Sequence, residues 1–172
     1  MQPAIDAMSH EHTDRSYERE LQQIRDHVTA MGTEVCNMLD GALRALGAGD
    51  RESARRIIAE DRIVNRLEVE TDELCLTILA RRQPVASDLR FIATALKLDT
   101  DLERIGDLCV NLCERSLQLQ GTIDGGSTAR LTEMGARVRA MIETALRAFV
   151  GRDVPLAESV FAVDAIVDRA YQ

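Results

Sequence analysis

The segment "MGTEVCNMLDGALRALGAGDRESARRIIAEDRIVNRLEV" occupies residues 31–69 and contains two apolar patterns separated by a short break. On both sides of the break, apolar residues recur every three or four positions, which is the spacing that gives an α-helix one buried face. Gly47 and Gly49 stop the first helix, and the Asp50 side chain can cap the second. The segment therefore predicts a helical hairpin.

The same pattern returns later in the chain. A shift of 103 residues aligns residues 31–69 with residues 134–172 without a gap, with 15 identities in 39 positions. Asp153 then falls opposite Asp50, and Pro155 lies in the first turn of a helix, where proline is tolerated. Similar composition alone would not keep the turn and the cap in register. The sequence therefore contains an internal duplication, and its second copy is incomplete in this chain.

Three long helices are predicted before the second copy, over residues 17–46, 50–82 and 85–119. Pro84 separates the second from the third, because the residue before a proline is pushed out of the α region. The segment "GTIDGGST" is a linker, and Ser127 or Thr128 is the predicted cap of the next helix. We predict a disordered leader (1–15), a first three-helix unit (16–120), a linker (121–128) and a partial second unit (129–172).

The composition excludes several classes of protein and favours one fold class. Aromatic residues make up only 3% of the chain and helix-forming residues are abundant, so we predict an all-α fold. The net charge of −8 argues against nucleic-acid binding, which needs a surplus of lysine and arginine. Without a long apolar run or a signal-peptide core, we predict a cytoplasmic protein with no membrane insertion. The cysteines are interpreted as free thiols packed as small apolar residues.

The most informative polar residues are acids on the apolar faces of the second and third predicted helices. Asp99 and Glu103 fall inside the apolar stripe of the third helix, and Asp107 lies at its edge. If the helices pack antiparallel around Pro84, residue i faces roughly residue 168 − i, so the acids of both helices meet. The predicted cluster consists of Asp61, Glu68, Asp72, Asp99, Glu103 and Asp107.

Crowded carboxylates cannot all stay ionised unless something compensates their charge. A metal cluster, a cationic partner surface, or simple exposure to solvent are the alternatives. Oxygen ligands suit hard divalent cations or carboxylate-bound iron. A ferritin-like oxidase is disfavoured because its Glu-x-x-His motifs are absent, and no motif pairs a nucleophile with a base. We therefore predict a protein that is not an enzyme, with a carboxylate-bridged metal store or oxidase as the alternative.

Several segments together resemble the PhoU family. They are "MGTEV", "NRLEVETDELC" and "ARRQPVASDLRFIATALKLDTDLERIGDLCVNLCE", and the duplication resembles that family too. The resemblance implies tandem three-helix bundles, the second one incomplete here. It also implies a cytoplasmic accessory regulator of phosphate uptake that acts between the Pst transporter, through its ATPase PstB, and the sensor histidine kinase PhoR. Such a protein is a negative regulator of the Pho regulon.

The resemblance also implies site residues. Some family members hold multinuclear iron or zinc on E(D)xxxD motifs, which here match Glu68, Asp72, Glu103 and Asp107, with Asp61 and Asp99 as additional acids. The corresponding acids of the second copy are Asp164 and Asp168. The candidate partner-binding residues are Arg81, Arg82, Asp88, Arg90 and Arg104. We also expect a homo-oligomer, since members are often dimeric and a half-bundle exposes an apolar face.

Overall fold

A computed structural model describes the backbone of residues 3–119 and 123–171 and the side chains of residues 15–119, 123–167 and 169. Within those ranges the chain forms α-helices and no strands, as predicted. The helices are α1 (Pro3–Ala48), α2 (Arg51–Arg82), α3 (Ala86–Gln118), α4 (Gly125–Gly151) and α5 (Val154–Tyr171). In this described part, none of the helices carries an apolar stretch long enough to cross a bilayer.

Helices α1, α2 and α3 pack against one another as a three-helix bundle. Its core comes from the apolar faces that the sequence predicted, and all four cysteines are buried in it as free thiols. The largest fully buried apolar side chains are Ile24, Val28, Met31, Val35, Met38, Val64, Ile78 and Ile92. This core holds the acid-bearing faces of α2 and α3 against each other.

The register between α2 and α3 agrees with the prediction from the turn at Pro84. At the far end of the hairpin, Nη1 of Arg51 donates a hydrogen bond of 2.7 Å to the backbone carbonyl of Leu117. Near the middle, Asp61 lies opposite Gly106. Both pairs fit an antiparallel hairpin in which residue i faces roughly residue 168 − i, so the acid-bearing faces of α2 and α3 lie towards each other.

Helix α4 packs antiparallel on α1 through a reciprocal contact between the two copies of the repeat. Leu146 of α4 covers Gly32 of α1, and Leu43 of α1 covers Gly135 of α4. A Cβ atom at either glycine would overlap with the facing leucine. Arg139 of α4 reinforces the crossing through an ion pair with Asp40 of α1. The duplicated glycine and leucine therefore join the two copies.

Helix α5 packs on α4 and leaves part of their shared apolar face open. Val28 and Met31 are fully buried in the first copy, whereas their counterparts Leu131 and Met134 are only half-buried. On α5 the Phe161 side chain is 73% exposed. The second unit thus consists of two helices here, and self-association through this face stays a prediction.

Two predicted boundaries were wrong. The first helix begins at Pro3 instead of near residue 17, so from residue 3 the predicted leader is helical. Proline is favoured at a first helical position because the N–H it lacks would have no partner there. Asp124, rather than Ser127 or Thr128, caps α4, because its carboxylate accepts from the Ser127 N–H at 2.9 Å. The linker therefore ends before Gly125, and residues 120–122 lie outside the described chain.

Candidate functional site

The six predicted acids of α2 and α3 lie along the line where these helices face each other, and we call them the acidic seam. Asp99 is completely buried, as its place inside the apolar stripe predicted. Asp107 is exposed at the edge, and the other four are half-buried. Among the described residues, none of the six forms an ion pair with lysine or arginine. The seam members are Asp61, Glu68, Asp72, Asp99, Glu103 and Asp107.

Asp99 is the most unusual member of the acidic seam. Both carboxyl oxygens are buried without a hydrogen-bond partner, since the hydroxyl of neighbouring Thr71 donates to the Leu67 carbonyl at 2.7 Å. Burial, together with the charges of Asp72 and Glu68, raises the pKa of Asp99 to about 7. A carboxyl group in such a place is costly to ionise, so it favours the neutral form or a bound cation.

Asp61 lies at the other end of the acidic seam, against the backbone of α3. Its Oδ2 accepts a hydrogen bond of 2.9 Å from Nδ2 of Asn65, while its Oδ1 is buried without a partner. A Cβ atom at Gly106 would lie 3.3 Å from that Oδ1, so a glycine at this position allows the close approach. Burial raises the pKa of Asp61, and the nearby Asp107 charge acts in the same direction.

Glu103 connects the two ends of the acidic seam electrostatically. Its pKa is raised by burial first, and then by the charges of Asp107, Glu68 and Asp61. The arginines nearby in sequence do not relieve this crowding, because Arg104 lies beside Asp101, on an exposed face of α3. The seam is therefore a concentrated, uncompensated negative surface with a buried end.

The donor chemistry of the acidic seam fits a hard divalent cation, because carboxylate oxygens are the ligands that such ions prefer. The unpartnered oxygens of Asp99 and Asp61 are consistent with this. In the part of the chain that the structure describes, however, no three or more His, Cys, Asp or Glu side chains are already gathered to hold a metal ion. Metal binding therefore stays a prediction, as does recognition of a cationic partner.

The predicted partner-binding residues are distributed over two regions. Arg82 pairs with Glu20 at 2.8 Å and bonds Ser16, while Arg81 and Arg90 are exposed close to the α2–α3 turn. Arg104 lies fourteen residues beyond Arg90 on α3, which is roughly 21 Å along a helix. The structure therefore brings Arg81, Arg82, Asp88 and Arg90 to one end of the bundle and leaves Arg104 apart.

Four residues that the sequence analysis missed lie where this end of the bundle meets α4. The Phe91 and Phe149 rings stack at 4.8 Å between centroids, and the guanidinium groups of Arg25 and Arg152 lie 4.9 and 5.3 Å from the Phe91 ring centre. Arg152 also approaches Asp88 at 3.4 Å. The repeat contained one clue to the position of Arg152. Arg152 aligns with Gly49, and both residues adopt the left-handed conformation, with φ of 53° and 65°.

Among the described residues, no helix that corresponds to α3 lies beside the acids of the second copy. Asp164 is exposed on α5. The backbone at Asp168 continues α5, but its side chain lies outside the described residues. The structure therefore forms one acidic seam, in the first copy.

Comparison with known proteins identifies where this architecture recurs. A family model described as "PhoU domain" matches residues 28–116 and 131–172, which includes the acidic seam and the second copy. Proteins from Pseudomonas putida and Pseudomonas aeruginosa are each 38% identical to this chain over 94% and 97% of its length. Both are named "Phosphate-specific transport system accessory protein PhoU homolog". The matches cover 63% and 69% of those relatives, so the chain spans about two thirds of their length.

Solved structures agree with the sequence matches. The crystal structure of PhoU from Pseudomonas aeruginosa superimposes with a TM-score of 0.83 at 39% identity, covering 90% of this chain and 75% of that one. The phosphate transport system regulatory protein PhoU from Streptococcus pneumoniae gives 0.81 at 29% identity, covering 90% and 73%. The all-α fold predicted from composition, and the PhoU-like architecture implied by the resemblance, are thereby confirmed.

Proposed function

The chain belongs to the PhoU family, and we propose that it is an accessory regulator of a phosphate-specific transport system. It acts by binding, at the cytoplasmic side of the transporter, and carries information on phosphate supply to a sensor histidine kinase. Its partners are the transporter ATPase PstB and the kinase PhoR. When phosphate is plentiful, it favours the inhibitory state of the kinase and restrains uptake, which makes it a negative regulator of the Pho regulon.

The observation that supports this proposal best is the uncompensated acidic seam on a three-helix bundle. Carboxylates with no ion-pair partner among the described residues offer a charged surface to a cationic partner, and electrostatic complementarity gives such contacts specificity and speed. All six side chains of the acidic seam are carboxylates, and none is paired with a base that would activate it as a nucleophile. This favours a role in binding a partner over a role in catalysis. The relatives are likewise named as accessory and regulatory proteins.

Binding to the two proposed partners tests this function directly. We expect the purified chain to bind the ATPase and the cytoplasmic part of the kinase in surface plasmon resonance, with affinities that change between phosphate-free buffer and millimolar phosphate. Since charge contributes to these contacts, raising the salt concentration should weaken them. A chain that binds neither protein at low salt would contradict the proposal.

We propose further that the acidic seam holds iron, zinc or another divalent cation. This second function rests on the unpartnered oxygens of Asp99 and Asp61. Glu68, Asp72, Glu103 and Asp107 would supply the main ligands, with Asp61 and Asp99 beside them. A bound cation would neutralise the crowded negative charge. A metal store or oxidase would use the same residues, and iron-dependent oxygen consumption would distinguish it from a regulator.

Replacing Glu103 with glutamine and Asp107 with asparagine should separate a metal site from a purely structural one. We expect the double variant to stay folded and to melt at a higher temperature than the unmodified chain in the presence of chelator, because repulsion within the acidic seam is relieved. The measurement is thermal unfolding by circular dichroism. A large loss of helicity would instead mean that these acids are structural.

Elemental analysis by plasma mass spectrometry, on untagged protein purified without chelator, completes the experiment. We expect at least one equivalent of a transition metal per chain in the unmodified protein and its loss in the Glu103/Asp107 double variant. The control is Asp101→Asn, which changes an exposed acid on the same helix outside the acidic seam. Metal-free unmodified protein would leave the seam as a recognition surface.

A further inference from the structure

Helices α3 and α4 both pack on α1 but diverge from each other, so an open groove lies between them. In the described part of the chain their Cα atoms do not approach within 8 Å. The groove has a volume of about 630 Å³, and the start of α5 closes one of its ends. We call it the α3–α4 groove. It lies on a different surface from the acidic seam, whose walls are α2 and α3.

The floor of the α3–α4 groove is apolar. The stacked rings of Phe91 and Phe149 join its two walls, and the small side chains of Ala145 and Ala148 keep it open. Leu98 extends the apolar surface along α3, and Val154, which is 64% exposed, extends it at the α5 end. The two rings are themselves buried, at 6% and 9% exposure, so the apolar surface that stays open to solvent comes from Leu98, Ala145 and Val154. Open apolar surface of this kind marks a place where a partner can bind.

The rim of the α3–α4 groove carries two arginines, and one of them has no ion pair with a described residue, although the whole chain has a net charge of −8. Arg90 is exposed on one wall and forms no ion pair with a described residue. Arg152 on the other wall is 46% exposed, and its ion pair with Asp88 is long, at 3.4 Å. Asp153, the one acid among the described lining residues, caps α5 by accepting from the Leu156 N–H at 2.9 Å. The described lining therefore holds one more arginine than acids.

The shape of the α3–α4 groove suits a helix. The lining residues of α3 run from Ser87 to Leu98 and recur at three- and four-residue intervals, and those of α4 recur in the same way. At about 1.5 Å per residue, the α3 wall is roughly 17 Å long, which corresponds to about three helical turns. The α4 wall is shorter, from Ala145 to Phe149. A groove between two such helical walls is a surface into which an amphipathic helix can place its apolar face.

We propose that the α3–α4 groove binds an amphipathic helix of a partner protein, with apolar side chains against the open apolar lining and carboxylates at Arg90 and Arg152. The inference rests on the proposed function in taking a protein of the signalling system as the partner. Of the candidate partner-binding residues near the α2–α3 turn, the inference selects Arg90. It excludes Arg104, which lies outside the groove.

A synthetic peptide tests the inference without a natural partner. The probe is a fluorescein-labelled, hydrocarbon-stapled helix of about three turns, with leucine and phenylalanine on one face and glutamate on its flanks. Its control carries lysine in place of every glutamate. Fluorescence anisotropy should give a Kd on the order of 10–100 μM for the acidic peptide, and binding at least about tenfold weaker for the basic one. Equal binding of both peptides, or no binding of the acidic one, would overturn the inference.

Two pairs of matched variants locate the binding site. Thr94 and Thr100 are exposed on α3, and each hydroxyl bonds the carbonyl four residues earlier, but only Thr94 lines the groove. Thr94→Trp should therefore weaken peptide binding at least about tenfold, and Thr100→Trp should leave it unchanged. Arg90→Glu should weaken it in the same way, whereas Arg104→Glu, with an identical change in net charge, should not. Equal effects within either pair would contradict the inference.

Binding of the kinase and the ATPase to the same four variants separates this inference from the proposed function. If the unmodified chain binds the peptide in the groove but neither protein, the proposed function is wrong and the groove assignment stands. If it binds either protein and the variants Thr94→Trp and Arg90→Glu bind that protein as tightly as their controls, the groove assignment is wrong. Loss of protein binding in Thr94→Trp and Arg90→Glu, but not in their controls, would support both the proposed function and the groove assignment.

Discussion

Between pH 4 and pH 8, the Asp99→Asn variant should gain on the order of 3–4 kcal/mol of stability relative to the unmodified chain. The reason is that burial and the neighbouring acids raise the pKa of Asp99 from 3.8 to about 7 in the folded chain. The native state therefore holds this proton more tightly than the unfolded chain does. Stability is lost as the pH rises from about 4 through 7, and the loss then levels off.

Urea unfolding between pH 4 and pH 8, in the presence of EDTA, measures this difference. The decisive quantity is how the free-energy gap between variant and unmodified chain changes with pH, because replacing a carboxyl with an amide has its own pH-independent cost. Asp101→Asn on the same helix is the control, since Asp101 is exposed and the pH dependence should stay as in the unmodified chain. Parallel pH profiles for Asp99→Asn would show that this carboxyl is not buried in solution.

The acidic seam could be predicted from sequence because two local rules determine it. The period of an α-helix puts Asp99 inside the apolar stripe of α3, and the turn at Pro84 fixes which residues of α2 face it. The Arg51–Leu117 hydrogen bond and the Asp61–Gly106 approach agree with that register. Neither rule depends on how the rest of the chain folds.

The α3–α4 groove could not be predicted in the same way, because it depends on the angle at which two helices cross a third. Phe91 and Phe149 belong to different copies of the repeat, and no local pattern relates them. The start of α1 was missed because its first residues show no periodic apolar face. A helix whose later part is packed can be extended without such a face, since extension is easier than nucleation. Arg152 was missed because its left-handed backbone position is usually taken by glycine.

Two identities in the repeat belong to the contact between α1 and α4. Their role is visible only in the structure, where the two helices cross antiparallel. Gly32 and Gly135 are equivalent positions, as are Leu43 and Leu146. A pair of identities in a repeat is ordinarily explained by common ancestry. In the structure each leucine covers the glycine of the other copy, so the two identities are two halves of one pseudo-symmetric contact.

Gly135→Val should therefore destabilise the chain by about 1–3 kcal/mol, the range expected for overpacking a filled interior. The added side chain would overlap with Leu43, whose end must move away from α4. The effect should be visible in urea unfolding and as faster hydrogen exchange along α4 in mass spectrometry. Gly151→Val is the control, because a Cβ atom at that exposed position of the same helix meets nothing closer than the Asp153 Cβ at 4.0 Å.

Second substitutions distinguish this specific contact from a general intolerance of larger side chains in α4. Leu43→Ala should recover a large part of the stability lost in Gly135→Val, since it vacates the space that valine needs. Leu146→Ala should not, because that leucine covers Gly32 at the other half of the contact. The reverse should hold for Gly32→Val, with Leu146→Ala as the rescuing change. If both leucine substitutions rescued both glycine variants equally, the reciprocal pairing of the two copies would be wrong.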